Sequence, residues 1–247
     1  MVFATLDGMT LSIALRGDTA RFPGNTLPAL RSAWRAGADL VKIDVHLTSD
    51  GYPVLVDERT VAAPGAPPRP VDELTLAELA GARDDVERRI PTLMEVTAEF
   101  SGDEGPPLLV DSASPEAALA ADALLCDRSA TRVLHTGSTE ALAALRAQNP
   151  EARLMLAWDQ PTPPSESALR GLRPTYLGTH HTLITRDSIG EMHRFGYSVV
   201  AWTVNDFTEM TRLVGIGVDA IATERVDDLV PLTTGRTQGG VPTAGRA

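Results

Sequence analysis

The chain has 247 residues, 43% of them hydrophobic, and carries 33 acidic against 22 basic side chains, a formal net charge of −11. An acid excess with no Lys/Arg cluster excludes nucleic acid and an anionic membrane surface as partners, since each needs a basic footprint. The N-terminal stretch has no basic region ahead of its apolar residues, and no run is long enough to span a bilayer. The expectation is therefore a cytoplasmic chain without membrane insertion.

Apolar runs of strand length recur along the chain with helical patterns between them. The first, LSIAL at 11–15, is followed by Asn25 and Thr26 as start signals for a helix over LPALRSAWRAG, with Gly37 placed to close it. DLVKIDVHL at 39–47 and PVLVD at 53–57 read as the second and third strands. The Pro-rich VAAPGAPPRPVDE then reads as an extended loop, and Thr75 as the start of a helix. PLLVD at 107–111, TRVLH at 131–135, RLMLAW at 153–158, TYLGT at 175–179 and SVVAWTV at 198–204 complete eight, with a short further run, DAIAT, at 219–223. Ser114, Ser138 and Asp206 stand ahead of helical segments, and Gly217 closes the last of these. Eight strands alternating with helices predict an α/β fold, a single (β/α)8 barrel over 9–232, followed by a disordered tail at 233–247. The single cysteine, Cys126, falls in the Ala/Leu-rich EAALAADALLCDR and reads as a small core thiol.

In such a barrel the ligand site lies at the carboxyl ends of the strands. Lys42, the one lysine of the chain, is followed by Asp44 and His46 at intervals of two, which puts all three on one face of a strand. The other strand ends offer Leu15 and Arg16, Asp57 and Glu58, Asp111, His135 and Trp202, an acidic mouth suited to carboxylate chemistry. His46 reads as a polar residue of the barrel interior or as a base, and His135 as either pocket or packing. His180 and His181 follow the seventh strand without sharing a face. His193 reads as a surface residue of a helix.

The order LRG, PGNT, AGADLVKIDVHLTSDGYPVLVDE, IPTLMEV, PLLVD, GYSVVAWTVND and GVDAIATE resembles the glycerophosphodiester phosphodiesterase family over nearly the whole chain. The resemblance implies a (β/α)8 barrel, hydrolysis of a glycerophosphodiester to an alcohol and glycerol 3-phosphate, and a divalent metal, Mg²⁺ or Ca²⁺. It also implies residue roles, and several are not met. Leu15 stands at the catalytic His of the family's His-Arg-Gly motif, whose phosphate-binding arginine is Arg16. Lys42 and Asp44 stand at the two metal-ligating acids of Glu-x-Asp. Asp57 stands at the second catalytic His, and Asp111 at the Glu of Glu-x-Lys, with Ala113 at its lysine. Trp202 and Asn205 match in kind. With Arg16 and Lys42 they are the substrate-binding candidates, and Asp44 and Asp111 are the remaining metal-ligand candidates.

These departures touch both halves of the family chemistry. Leucine neither gives nor takes a proton, and a positioned acid-base group contributes about 10²–10⁴-fold to rate. A carboxylate, as at Asp57, is a weaker candidate than histidine for proton donation at neutral pH. A lysine in place of an oxygen ligand puts positive charge where a hard cation needs a negative donor. The expectation is a family member without ordinary metal-dependent hydrolysis and without a cofactor, binding a small anionic or polyol ligand through Arg16 and Lys42. The alternatives are an active hydrolase using Asp57, Glu58, His46 or Lys42, a Schiff-base lysine at Lys42, and a barrel that only binds partners.

Overall fold

The computed structural model describes residues 9–57, 59–62, 65–82, 88–100, 105–126, 132–162 and 164–234, so that Glu58 and most of the expected tail lie outside the described residues. In chain order the elements are β1 (Leu11–Leu15), α1 (Leu27–Arg35), β2 (Leu40–Leu47), β3 (Pro53–Leu55), β4 (Thr60–Val61), β5 (Arg69–Pro70), α2 (Leu76–Gly81), α3 (Leu93–Glu99), β6 (Leu108–Ser112) and α4 (Pro115–Leu125). They continue as β7 (Val133–Gly137), α5 (Thr139–Gln148), β8 (Met155–Trp158), α6 (Glu166–Leu172), β9 (Tyr176–His180), α7 (Arg186–Arg194), β10 (Ser198–Trp202), α8 (Phe207–Ile216), β11 (Ala220–Thr223) and α9 (Val226–Thr234). Eight parallel strands run round the barrel in the order β7, β6, β2, β1, β11, β10, β9, β8. The seam between β7 and β8 is narrow: one parallel bridge joins His135 to Leu154, and the His135 amide donates to the Arg153 carbonyl at 2.9 Å.

The third strand expected from the sequence is not a barrel strand. PVLVD forms β3, antiparallel to β2, with Val45, His46 and Leu47 opposite Leu55, Val54 and Pro53. Only residues 48–52 separate β2 from β3. That is enough for a hairpin and too short for a parallel crossover, which takes about a dozen residues or more. The eighth barrel strand is instead β11, the short DAIAT run, which pairs with both β1 and β10.

Side-chain alternation divides the apolar residues into two shells. Ile13, Leu40, Leu109, Leu134, Met155, Tyr176 and Val200 pack together inside the barrel. Val41, Ile43, Val45, Leu108 and Val110 face outward against Leu30 and Ala33 of α1, Leu93 and Val96 of α3 and Ala121 of α4. Thr26, Thr75, Ser114, Ser138 and Asp206 each accept a first-turn backbone amide as N-caps, an interaction worth about 1 kcal/mol apiece. Gly217 ends α8 in the left-handed conformation at φ 88°. Cys126 departs from expectation: its thiol is exposed. The buried stripe of α4 runs through Ala117, Ala118, Ala121 and Leu125, and the next position on the helix lies about 100° round from that stripe.

Candidate functional site

Above the apolar filling, at the carboxyl ends of the strands, the barrel opens into a cavity of about 440 Å³. Its polar wall is Arg16, Lys42, Asp44, Asp57, Asp111 and Glu224, and Leu15, Leu109, Met155, Val200 and Trp202 supply apolar surface. Strand register explains the grouping. Lys42 pairs with Leu15 on β1 and Leu109 on β6, and one layer higher Asp44 pairs with Asp111, which pairs with Thr136 on β7.

Lys42 sits between two carboxylates. Its ammonium hydrogen-bonds Asp44 and lies 2.8 Å from Asp111 Oδ2, with the side chain 18% exposed. Burial by itself pulls the ammonium pKa down, but Asp111 and Asp44 outweigh it and the net displacement is upward. The amine therefore stays protonated and has no lone pair with which to attack a carbonyl, which argues against a Schiff base.

Asp44 is fixed from its other side by Asn25. The Asn25 amide donates to Asp44 Oδ2 at 2.9 Å, and its carbonyl oxygen accepts the Asp44 backbone N–H at 3.1 Å. Arg16 forms a second bridged cation: Nη1 lies 2.5 Å from Asp57 Oδ2 and Nη2 lies 2.5 Å from Glu224 Oε1. Desolvation opposes the Arg16 charge, but these two acids more than offset it and its pKa is raised. Glu224 is held in turn by Asn205, whose amide donates to Oε2 at 2.9 Å and whose carbonyl oxygen accepts the Glu224 backbone N–H at 3.0 Å.

The backbone that delivers these groups is strained. Arg16 and Asn25 both have left-handed φ, 59° and 58°, a conformation costing roughly 1–3 kcal/mol in a non-glycine residue and concentrated at functional sites. Gly17 follows at φ 91°, where a Cβ would lie 2.5 Å from the Ala29 carbonyl carbon. Only glycine fits this turn. At Gly24 a Cβ would lie 2.9 Å from Arg16 Cβ, so the small residue lets the loop close against the arginine.

The remaining candidates are dispersed. His46 does not share the cavity of Lys42 and Asp44, nor is it in the barrel interior; it lines a second cavity of about 430 Å³ with Arg59, Asp72 and Ser114. The β1 ladder ends opposite Lys42 and the β6 ladder opposite Val45, so His46 lies past the closed rim, where β2 pairs only with the antiparallel β3. Burial lowers the His46 pKa and Arg59 lowers it further, against Asp44 and Asp111. His135 is a packing residue, buried behind β7 with Nε2 3.4 Å from Asp122. Asn205 positions Glu224 and is not part of the cavity lining.

Trp202 forms a half-buried wall of the cavity and meets His180 edge-on at 6.1 Å. His181 pairs with Glu209 at 2.8 Å, away from the mouth. Arg212 first, and His181 with it, holds the Glu209 carboxyl down at about 2. His193 lies in α7 and pairs with Asp219 at 2.7 Å. Asn25 and Glu224 were not singled out as site residues in the sequence, although they sit in the PGNT and GVDAIATE runs. Among the described residues, no three His, Cys, Asp or Glu side chains converge as a metal-binding group.

The sequence pattern of the glycerophosphoryl diester phosphodiesterase family matches residues 16–228. A glycerophosphodiester phosphodiesterase of Caldanaerobacter subterraneus subsp. tengcongensis is 28% identical over 242 residues, covering 90% of this chain and 97% of the relative. The human glycerophosphodiester phosphodiesterase 1 is 37% identical over 97 residues, 36% of this chain and 29% of its own length. Among solved structures, a phosphodiesterase of Oleispira antarctica in complex with the product sn-glycerol-3-phosphate superposes with a TM-score of 0.80 at 23% identity, covering 92% of this chain and 98% of the other. A glycerophosphodiester phosphodiesterase of Thermotoga maritima gives 0.75 at 21%, covering 90% and 98%. With the matched pattern spanning most of its length, this (β/α)8 chain belongs to the glycerophosphoryl diester phosphodiesterase family.

Proposed function

We propose that this chain is a ligand-binding barrel of its family that does not carry out metal-dependent phosphodiester hydrolysis. The observation that carries this reading is the Lys42 ammonium seated between Asp44 and Asp111, the two acids left of the family's ligand set. The residues present do not fit a divalent cation. A doubly charged ion 4 Å from the ammonium meets about 8 kcal/mol of repulsion at an effective dielectric of ~20, and the raised Lys42 pKa opposes relief by proton loss. The acid-base half fails separately, because Leu15 faces the cavity where the resemblance puts a histidine, and Asp57 is engaged by Arg16. That the Oleispira phosphodiesterase is found in complex with sn-glycerol-3-phosphate supports a small polar ligand for a barrel of this fold. The test is turnover of glycerophosphocholine and of a chromogenic phosphodiester with and without Mg²⁺ or Ca²⁺. The reading predicts background rates throughout. Turnover abolished by Asp57→Asn would overturn it in favour of an active hydrolase with replacement groups.

A further inference from the structure

We infer that the ligand of this cavity is a small organic cation, an amine or diamine with an alkyl body, rather than a phosphate; this rests on the reading above that the mouth binds a ligand without a metal. The cavity presents four carboxylates, Asp44, Asp57, Asp111 and Glu224, against two cations, Arg16 and Lys42. Two formal negative charges are left unbalanced.

Both cations are also already flanked by two acids each. Arg16 bridges Asp57 and Glu224, and Lys42 bridges Asp44 and Asp111. A phosphate reaching either one, whether through a remaining N–H or by displacing an acid, must sit beside two carboxylates, with like charges in a partly desolvated site. A cation displaces nothing. Asp44 Oδ2 is taken by Asn25 and Glu224 Oε2 by Asn205. Asp57 Oδ1 and Asp111 Oδ1 have no donor among the described residues.

The helix N-termini that ring a barrel mouth do not restore the balance. Glu95, Glu116, Glu140, Glu166, Asp187 and Glu209 stand in the first turns of α3 to α8 and offset the dipoles there. The rest of the lining suits an alkyl amine. Leu15, Met155, Val200 and Ala222 offer apolar contact, and Trp202 adds aromatic surface of the kind that attracts a cation. The overall charge of −11 favours approach of a cation as well.

The experiment is calorimetric titration of the whole protein with 1,4-diaminobutane, glycerol 3-phosphate and glycerol. Saturable one-to-one binding of the diamine is expected, weakening as salt is raised from 50 to 500 mM and at least tenfold weaker in Asp57→Asn and in Asp111→Asn, each checked for a native circular dichroism spectrum. Glycerol 3-phosphate or glycerol binding as tightly as the diamine overturns the inference, as does a diamine titration without saturation. The hydrolysis assay reads the other claim independently, so an active enzyme that binds the diamine refutes only the proposed loss of catalysis.

Discussion

Replacing Lys42 by methionine keeps most of the side-chain volume and removes only the ammonium. Asp44 and Asp111, register partners on β2 and β6, are then left facing one another with no cation between them. Removing one partner of a buried ion pair costs about 3–5 kcal/mol. Asp44 is 17% exposed but Asp111 is 33% exposed, and solvent at Asp111 screens the repulsion, so about 2–3 kcal/mol is expected here. At roughly 2–4 °C per kcal/mol for a domain of this size, Tm at pH 7 should fall by about 4–12 °C, read by circular dichroism melts. The pH dependence gives the argument its sign. The folded pKa of Lys42 is raised, so its contribution in the wild type is full below the ordinary lysine value and is lost only as pH rises through the folded value, well above neutrality. A Lys42→Met protein as stable as wild type at pH 7 would refute this account of the site.

Other parts of the structure are open to similar checks. Gly17→Ala must adopt φ 91° and place a methyl group 2.5 Å from the Ala29 carbonyl carbon; urea denaturation should show a loss of about 2–4 kcal/mol, and a loss under 1 kcal/mol would contradict the close approach. Cys126 is exposed, so the folded protein should react with one equivalent of a chromogenic disulfide without denaturant. A thiol that reacts only after unfolding would restore the core reading. His46 is held below its ordinary value of 6.5 by burial, so the unfolded chain takes up its proton first as pH falls. The stability it protects is full above that value and declines below it. An NMR titration should find its midpoint below 6.5, and a midpoint at or above it would contradict the burial.

Much of the barrel was legible because its elements obey local rules. Thr26, Thr75, Ser114, Ser138 and Asp206 cap helices where their side chains and the following patterns predict. The miscounted strand has a local cause too: apolar content does not tell a parallel strand from the return arm of a hairpin, whereas the five-residue link before β3 does. Lys42, Asp44 and Asp111 come together as their alternation implies. His46 shares that alternation and still leaves the group, because it lies past the parallel ladders to β1 and β6, where β2 pairs with β3 instead. The pairing of Arg16 with Glu224 joins the first and last barrel strands, and no local pattern reports a contact across 208 positions. Glu224 became readable only once β11 was placed beside β1.

The central claim is that an ammonium stands where the family holds a metal. It is tested most directly by titrating Mg²⁺ and Ca²⁺ calorimetrically into wild type and Lys42→Glu, a substitution that restores the family's Glu-x-Asp beside Asp111. The account predicts no saturable binding up to millimolar concentrations in wild type, and a site gained in Lys42→Glu that Asp111→Asn weakens again. Millimolar or tighter binding in wild type that Lys42→Glu leaves unchanged would contradict it.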